Sequence, residues 1–189
     1  QLMVGSEGTL GIITKIVFRL IPLPTKDITM LVPFNSAERA CEAVSAVFRA
    51  GITPSALEFI ERDAIDWTLK HTDISMNIED GVEAHLLIEV DGDNFDVLYS
   101  DCEKIAKVLK EFESGEILIA DSSTEKENLW KLRRSVAESV KANSVYKEED
   151  TVVPRAELAK LLKGVKQIGE KYGFKSICYG HAGDGNLHV

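Results

Sequence analysis

The chain has 189 residues, which is enough for one domain with a complete hydrophobic core. Hydrophobic residues make up 44% of it and charged residues 28%, as in an ordinary globular protein. The net charge of −9 argues against nucleic acid or an anionic membrane surface as the main partner, because both are bound through clustered Lys and Arg.

Both ends of the chain lie inside distinctive segments. Gln1 is not an initiator methionine, and a glycine-rich stretch, Gly5-Ser-Glu-Gly-Thr-Leu-Gly11, follows almost at once. Residues 179–189 place two histidines around a Gly-Asp-Gly turn. We therefore expect the chain to be a piece of a longer polypeptide.

The first predicted element is a strand over Ile12–Ile21, where β-branched and apolar residues dominate. Pro22 and Pro24 predict the end of that strand and a linker, because proline is disfavoured inside a sheet. A domain boundary is therefore predicted near Thr25.

The next part of the chain alternates between strand and helix patterns. Predicted strands cover residues 28–34, 55–60, 84–90 and 115–120. One predicted helix starts at a capping box at 35–38 and ends before Gly51, and a second covers 95–112. Residues 61–80 are polar and poorly periodic, and they are predicted to be irregular. The order β-α-β-β-α-β predicts an α+β, ferredoxin-like fold, an antiparallel sheet with helices on one face.

Further elements extend this core. Thr124 and Glu127 predict the capped start of a helix that runs to about residue 142. Residues 145–153 are predicted to be extended, 156–172 to be helical and 176–179 to form a last strand. That strand leads directly into the histidine segment.

His181 and His188 are the first candidate site residues. A strand–turn–strand can bring them together, since Gly183 and Gly185 permit tight turning. Two converging imidazoles form part of a metal site, whose third ligand would come from beyond Val189. The alternative is that both are ordinary surface residues.

Arg133 is the second candidate. On a helical wheel it lies within the apolar stripe of its helix, which is formed by Leu129, Leu132, Val136 and Val140. A guanidinium that points inward needs an anion. That anion is either a substrate carboxylate or a buried carboxylate such as Glu58 or Asp150, unless the side chain extends to the rim. Lys147 is a possible second cation, or a solvated surface lysine.

The three cysteines, Cys41, Cys102 and Cys178, are odd in number and widely spaced. This pattern favours reduced core thiols of an intracellular protein over a disulfide framework or a zinc cluster.

Taken together, four segments resemble landmarks of FAD-linked oxidases of the vanillyl-alcohol-oxidase type, in the same order. They are Gly5-Ser-Glu-Gly-Thr-Leu-Gly-Ile-Ile-Thr14, Leu129-Trp-Lys-Leu-Arg133, Val145-Tyr-Lys147 with Asp150-Thr-Val-Val-Pro154, and Gly180-His-Ala-Gly-Asp-Gly-Asn-Leu-His188. The branch they resemble contains glycolate oxidase subunit GlcD, D-lactate dehydrogenase and D-2-hydroxyglutarate dehydrogenase. The resemblance implies that residues 1–25 are the C-terminal tail of the FAD-binding domain. Residues 26–189 would then form a substrate, or cap, domain that is truncated at its C-terminus.

The resemblance also assigns roles to individual residues. Glu7, Gly8, Gly11 and Ile13 would bind FAD, and Arg133, Lys147 and Asn186 would bind the substrate. His181 and His188 would bind a divalent metal, zinc or manganese, and the catalytic base would lie beyond the chain. Ala137 replaces a threonine of the D-2-hydroxyglutarate branch, which argues against that dicarboxylate as substrate.

The implied parent protein is an FAD-dependent oxidoreductase that oxidises a small D-2-hydroxy acid, glycolate or D-lactate, by hydride transfer to flavin. Its expected partners are that acid, electron-transfer subunits and a second copy of itself, and no nucleic acid. Its expected location is the cytoplasm, with attachment to a membrane only through partner subunits. The isolated chain would be inactive. The alternative is a non-catalytic, ferredoxin-like module that binds or senses a small molecule.

Overall fold

The computed structural model describes residues 2–189, and the regular structure within them begins at Lys26. The strands are β1 Lys26–Phe34, β2 Ala56–Glu61, β3 Ala84–Gly92, β4 Leu118–Ile119, β5 Asp150–Val152, β6 Tyr179–Gly180 and β7 Asn186–His188. The α-helices are α1 Ala37–Arg49, α2 Arg62–His71, α3 Phe95–Lys110, α4 Ser123–Asn143 and α5 Leu158–Tyr172. Single 3-10 turns cover Arg155–Glu157 and Ala182–Asp184.

The strands form one sheet in the order β4-β1-β3-β2-β6-β7-β5, and neighbouring strands are antiparallel. Its first four strands have the order of a ferredoxin-like sheet, so the predicted α+β class is confirmed. The added strands β6, β7 and β5 extend the sheet from β2. This extension carries the histidine segment.

Helices cover both faces of the sheet. Side chains on alternate positions of a strand point to opposite faces. Ile28, Met30 and Val32 of β1 pack with α1, α3 and α5 in the larger core. On the opposite face, Ile60 of β2 packs with α2 and α4, and Leu31 of β1 with α4. The two helices of the ferredoxin-like core, α1 and α3, share one face as predicted, and α4 lies on the opposite face.

Several element boundaries differ from the prediction. The segment predicted to be irregular contains α2, which packs Ala64 and Ile65 into the core beneath α4. The N-cap of α1 is Ser36 rather than Asn35, and the N-cap of α4 is Ser122 rather than Thr124. In both helices the capping hydroxyl accepts the backbone N–H three residues later, which a residue at the predicted position does not do here.

The predicted strand over residues 12–21 is absent. These residues are exposed, and no strand of the described part of the chain pairs with them. A segment without a neighbouring strand has no partner for its backbone N–H and C=O groups. Residues 12–21 therefore form no strand, although their sequence favours one.

All three cysteines are buried and unpaired, as predicted. Burial raises the pKa of Cys102 to about 11 and that of Cys178 to about 12, so both thiols stay protonated near neutral pH. Among residues 2–189, no helix is both long enough and apolar enough to cross a membrane.

Candidate functional site

The histidine segment forms a compact turn at the end of β6. His181 follows β6, the 3-10 turn comes next, and His188 ends β7. Gly185 has φ +78°, and a side chain there would also collide with the carbonyl of Val153. Gly180 is equally constrained, because a Cβ would lie 2.6 Å from the carbonyl oxygen of Asn186. The glycines thus allow the two histidines to face the same region, with ring centroids 6.0 Å apart.

Glu58 lies at the centre of this site. Its Oε1 is 2.8 Å from Nδ1 of His181, and its Oε2 accepts a hydrogen bond of 2.8 Å from Nε of Arg133. The carboxylate is buried, with 6% of the residue exposed. Because Glu58 and Ile60 alternate with Leu57 and Phe59 along β2, Glu58 points to the face that α4 covers.

Arg133 is buried as the helical wheel predicts, with 8% of the residue exposed. Its guanidinium carbon lies 5.5 Å from the ring centroid of Tyr179, within cation–π range. Nη2 is buried and has no hydrogen-bond partner, whereas Nε is bonded to Glu58. A buried N–H of a cation without a partner is costly, so a hydrogen-bond acceptor placed at Nη2 would be stabilising.

Two acidic groups on the adjoining segment lie near His188. Its Nδ1 is 3.4 Å from Oδ1 of Asp150 and 3.7 Å from Oε1 of Glu148. The ring of Tyr179 lies 5.2 Å away, centroid to centroid, and its hydroxyl donates to Glu148 over 3.2 Å. Burial, and after it the charge of Glu148, raises the pKa of Tyr179 to about 12, so the phenol remains protonated.

Asn186 contributes to the turn and also leaves a free acceptor. Its Nδ2 donates to Oδ1 of Asp150 over 2.6 Å and to the carbonyl of Thr151 over 3.1 Å. These bonds attach β7 to β5. Its Oδ1 is buried without a partner.

The imidazoles fit part of a metal site. Nδ1 of His181 is bonded to Glu58, an arrangement that is common around metal-ligating histidines and leaves Nε2 for an ion. Nδ1 of His188 lies 3.4 Å from Asp150 without forming a hydrogen bond. Within residues 2–189, no group of three or more His, Cys, Asp or Glu is arranged to hold a metal. His181 and His188 are therefore two candidate ligands that the fold brings together, and metal binding stays a prediction.

Lys147 lies apart from these contacts. Its side chain is 83% exposed, and Nζ pairs with Oε1 of Glu149 at 3.2 Å. The same segment lines a largely apolar cavity of about 720 Å³ that Tyr179 and Val189 also border. The structure thus gathers Arg133, Asn186, His181 and His188 around one end of the sheet, while Lys147 faces solvent beside it.

The predicted flavin contacts lie in the exposed segment before β1. Glu7 and Gly8 both have positive φ, 47° and 77°, and form a tight turn. Gly11 and Ile13 follow in a stretch without regular secondary structure. Within the described residues, no hydrogen bond connects residues 2–24 to the domain that holds Arg133.

Glu58 is the residue that sequence reasoning undervalued. The sequence named it only as one possible partner of Arg133, and Tyr179 was not considered. A signal was present, because Glu58 and Glu61 interrupt an otherwise apolar strand. A carboxylate inside a buried strand needs a partner and therefore indicates a polar cluster.

Comparisons with known proteins agree with the geometry. A sequence profile described as FAD linked oxidases, C-terminal domain, matches residues 23–189. The chain is 34% identical to a D-lactate dehydrogenase of Anaerostipes hadrus and 35% identical to glycolate oxidase subunit GlcD of Bacillus subtilis. Both alignments cover 100% of this chain, and they cover 41% and 40% of the two relatives. The chain thus spans about two fifths of the length of these relatives.

Solved structures show the same fold at lower identity. An alkyldihydroxyacetonephosphate synthase superposes with a TM-score of 0.59 at 19% identity, over 99% of this chain and 40% of that one. A p-cresol methylhydroxylase superposes with a TM-score of 0.61 at 14% identity, over 91% of this chain and 40% of that one.

Proposed function

Because the chain belongs to the family of C-terminal domains of FAD-linked oxidases, we propose that it forms the substrate-binding part of an FAD-dependent oxidoreductase. The membership confirms the resemblance expected from the glycine-rich and histidine motifs. The proposed reaction is the oxidation of a small D-2-hydroxy acid, glycolate or D-lactate. The observation that carries this proposal is the free, buried Nη2 of Arg133 beside two converging imidazoles.

Arg133 binds the carboxylate of the substrate in this proposal. Its Nε is already committed to Glu58, so Nη2 supplies the contact to the acid. A hydrogen bond to an ionised group is about twice as strong as a neutral one, and burial strengthens it further. This contact fixes the acid end of the substrate.

With the substrate bound, the site would carry more negative than positive charge, and a further cation would balance it. One guanidinium already faces the carboxylate of Glu58, so a bound acid brings a second negative charge. A zinc or manganese ion held by His181 and His188 would neutralise it and would polarise the substrate hydroxyl as a Lewis acid. The free Oδ1 of Asn186 is an acceptor for that hydroxyl. Lys147 would add positive charge after a movement of its exposed side chain.

Residues 1–25 belong to the flavin-binding domain in this proposal. The family match begins at residue 23, and the apolar side chains of Ile12, Val17, Phe18 and Leu20 are exposed, as expected for a segment that packs against another domain. Glu7, Gly8, Gly11 and Ile13 would line the cofactor. FAD would supply the acceptor for the hydride of the substrate α-carbon, and the hydroxyl proton would pass to the base that the family resemblance places beyond this chain. Arg133 and the imidazoles orient that carbon.

The electrons then leave through a partner. One relative is named as a subunit of glycolate oxidase, which supports electron-transfer subunits as partners of the parent protein. We place that parent in the cytoplasm, with any membrane attachment supplied by such subunits.

Replacement of Arg133 by Ala in the full-length flavoprotein tests the proposal. We expect kcat/KM for the best D-2-hydroxy acid to fall roughly a hundredfold, because a charge-assisted hydrogen bond contributes about 2–3 kcal/mol. Arg134→Ala is the matched control, since Arg134 is exposed on the same helix. Anaerobic bleaching of the flavin absorbance measures the reaction and identifies the acid.

Two results would contradict the proposal. One is a kcat/KM of the Arg133 variant within twofold of the Arg134 variant. The other is a flavin that no D-2-hydroxy acid bleaches, which would favour the non-catalytic, ligand-binding alternative.

A further inference from the structure

We propose that Glu58 is a positioning residue that fixes both the guanidinium of Arg133 and the tautomer of His181. It thereby couples the group that binds the substrate carboxylate to the group that faces the substrate hydroxyl. The role of Glu58 in catalysis rests on the proposed function. The geometric claim itself can be tested without substrate, metal or flavin.

The two oxygens of Glu58 serve different partners. Oε2 accepts from Nε of Arg133, and Oε1 is 2.8 Å from Nδ1 of His181. Glu58 comes from β2, Arg133 from α4 and His181 from the turn after β6, so this carboxylate joins three elements. Along the chain the partners are 75 and 123 residues away from it.

The chemistry of a carboxylate determines the proton position on His181. An ionised carboxylate only accepts hydrogen bonds, so Nδ1 of His181 has to be the donor. In a neutral imidazole the proton is then on Nδ1, and Nε2 carries a lone pair. The side chain of His181 is 55% exposed, which leaves room for a ligand at Nε2. Glu58 thus prepares this histidine to bind a cation or to accept a proton.

Glu58→Gln separates this role from simple packing. Glutamine has nearly the same shape, but its amide offers one acceptor and one donor group. Arg133 can only donate, so the amide oxygen faces Arg133 and the NH2 group faces His181. Nδ1 of His181 must then accept, and the ring proton moves to Nε2. The expected result is a reversal of the tautomer.

The experiment records ¹⁵N–¹H correlation spectra of the histidine rings in mildly alkaline buffer. In the wild-type chain, Nδ1 of His181 is expected to have a pyrrole-type shift and Nε2 a pyridine-type shift; in Glu58→Gln the two are expected to exchange. Glu58→Asp retains an acceptor-only group and is expected to keep the wild-type pattern. Glu61→Gln is the matched control, because Glu61 is a buried carboxylate on the same strand that pairs with Lys166 instead.

The proposal is overturned by a pyridine-type Nδ1 in the wild-type chain, a result that needs no folded variant. It is also overturned if Glu58→Gln folds and leaves the His181 pattern unchanged, or if Glu61→Gln reverses it equally. Addition of Zn²⁺ to the wild-type chain then tests the metal assignment separately. An Nε2 resonance of His181 that does not respond to Zn²⁺ would count against the proposed function, while the tautomer result would still decide the role of Glu58.

Discussion

At the scale of single residues, the site depends on the buried ion pair between Glu58 and Arg133, whose hydrogen bonds are satisfied to different extents. Glu58 uses both oxygens, whereas Arg133 bonds through Nε and leaves Nη2 buried without a partner. Removing one partner of such a pair typically costs about 3–5 kcal/mol of stability, because the other charge is left buried. Any activity measured on Arg133 variants therefore needs a parallel stability measurement. Arg134→Ala provides the baseline for both.

His85 is a buried polar residue that lies outside the site. It lies on β3 between Pro33 and Ile60 of the adjoining strands, and its Nδ1 has no hydrogen-bond partner. Burial, with a smaller effect of the nearby Arg62, lowers the pKa of His85 to about 4. The folded protein therefore contains a neutral imidazole near neutral pH.

This depressed pKa predicts an acid-sensitive contribution to stability. Between pH 6.5 and about 4 the unfolded chain binds a proton at His85 that the folded chain does not, so stability falls as the pH is lowered. The full effect is about 3 kcal/mol, present above the unfolded pKa and lost as the pH approaches 4. Urea unfolding of the wild type and of His85→Leu over this range measures it. Parallel pH profiles for the two proteins would contradict the prediction.

At the scale of secondary structure elements, α4 is attached to the sheet through several polar side chains. Lys126, Trp130 and Arg133 are spaced by four and three residues and therefore share one side of the helix. Lys126 and Trp130 contact Glu89 of β3, and Arg133 contacts Glu58 of β2. The position of Arg133 in the site thus depends on how the preceding turns of α4 are attached to the sheet.

Glu89 is predicted to be the main attachment point of the first half of α4. Its Oε2 accepts from Thr29 Oγ1 at 2.8 Å and from Trp130 Nε1 at 2.9 Å, and it pairs with Lys126 at 3.2 Å. Glu89→Ala removes the acceptor of Thr29 Oγ1 and Trp130 Nε1, whereas Lys126 keeps its ion pair with Asp27. The expected loss is therefore about 2–3 kcal/mol in the free energy of unfolding. Chemical denaturation measures this value.

Glu103→Ala is the control for this experiment, because Glu103 is exposed on α3 and is expected to stay within about 0.5 kcal/mol of the wild type. Equal stabilities of the two variants would show that α4 is held mainly by its apolar contacts.

At the scale of the whole molecule, the exposed segment before β1 is the outlying part. Residues 2–24 form no hydrogen bond with the domain. None of their apolar side chains belongs to its core clusters. The domain itself has a continuous core that spans β1 to β7. We therefore predict that the segment adds little to the stability of the domain.

Removal of residues 1–22 is predicted to leave the thermal stability of the domain unchanged within about 2 °C, because residues 2–22 add no hydrogen bond to the domain and no side chain to its core. The two forms are also expected to purify without flavin absorbance, since most of the proposed cofactor site lies outside the chain. Calorimetry and a visible spectrum are sufficient measurements. A drop in Tm of several degrees, or a yellow protein, would contradict the assignment of these residues to another domain.

Elements that depend on local interactions were predicted correctly, and an element that depends on distant contacts was missed. The helix from Phe95 and the strand from Ala84 begin where predicted, because local periodicity and turn residues specify them. α2 was missed because its pattern is short and its burial depends on α4, about sixty residues later. Capping positions were wrong by one or two residues, since several adjacent Ser, Thr and Asn residues could serve.

By itself the sequence determined that Arg133 faces inward and that glycines surround the two histidines, because both features follow from helical periodicity and from backbone freedom within a few residues. Only the tertiary structure decided that Glu58 binds Arg133 and His181 together and that Lys147 is exposed. The physical reason is that strand order and helix placement determine which side chains meet across the sheet. Local sequence does not contain that information.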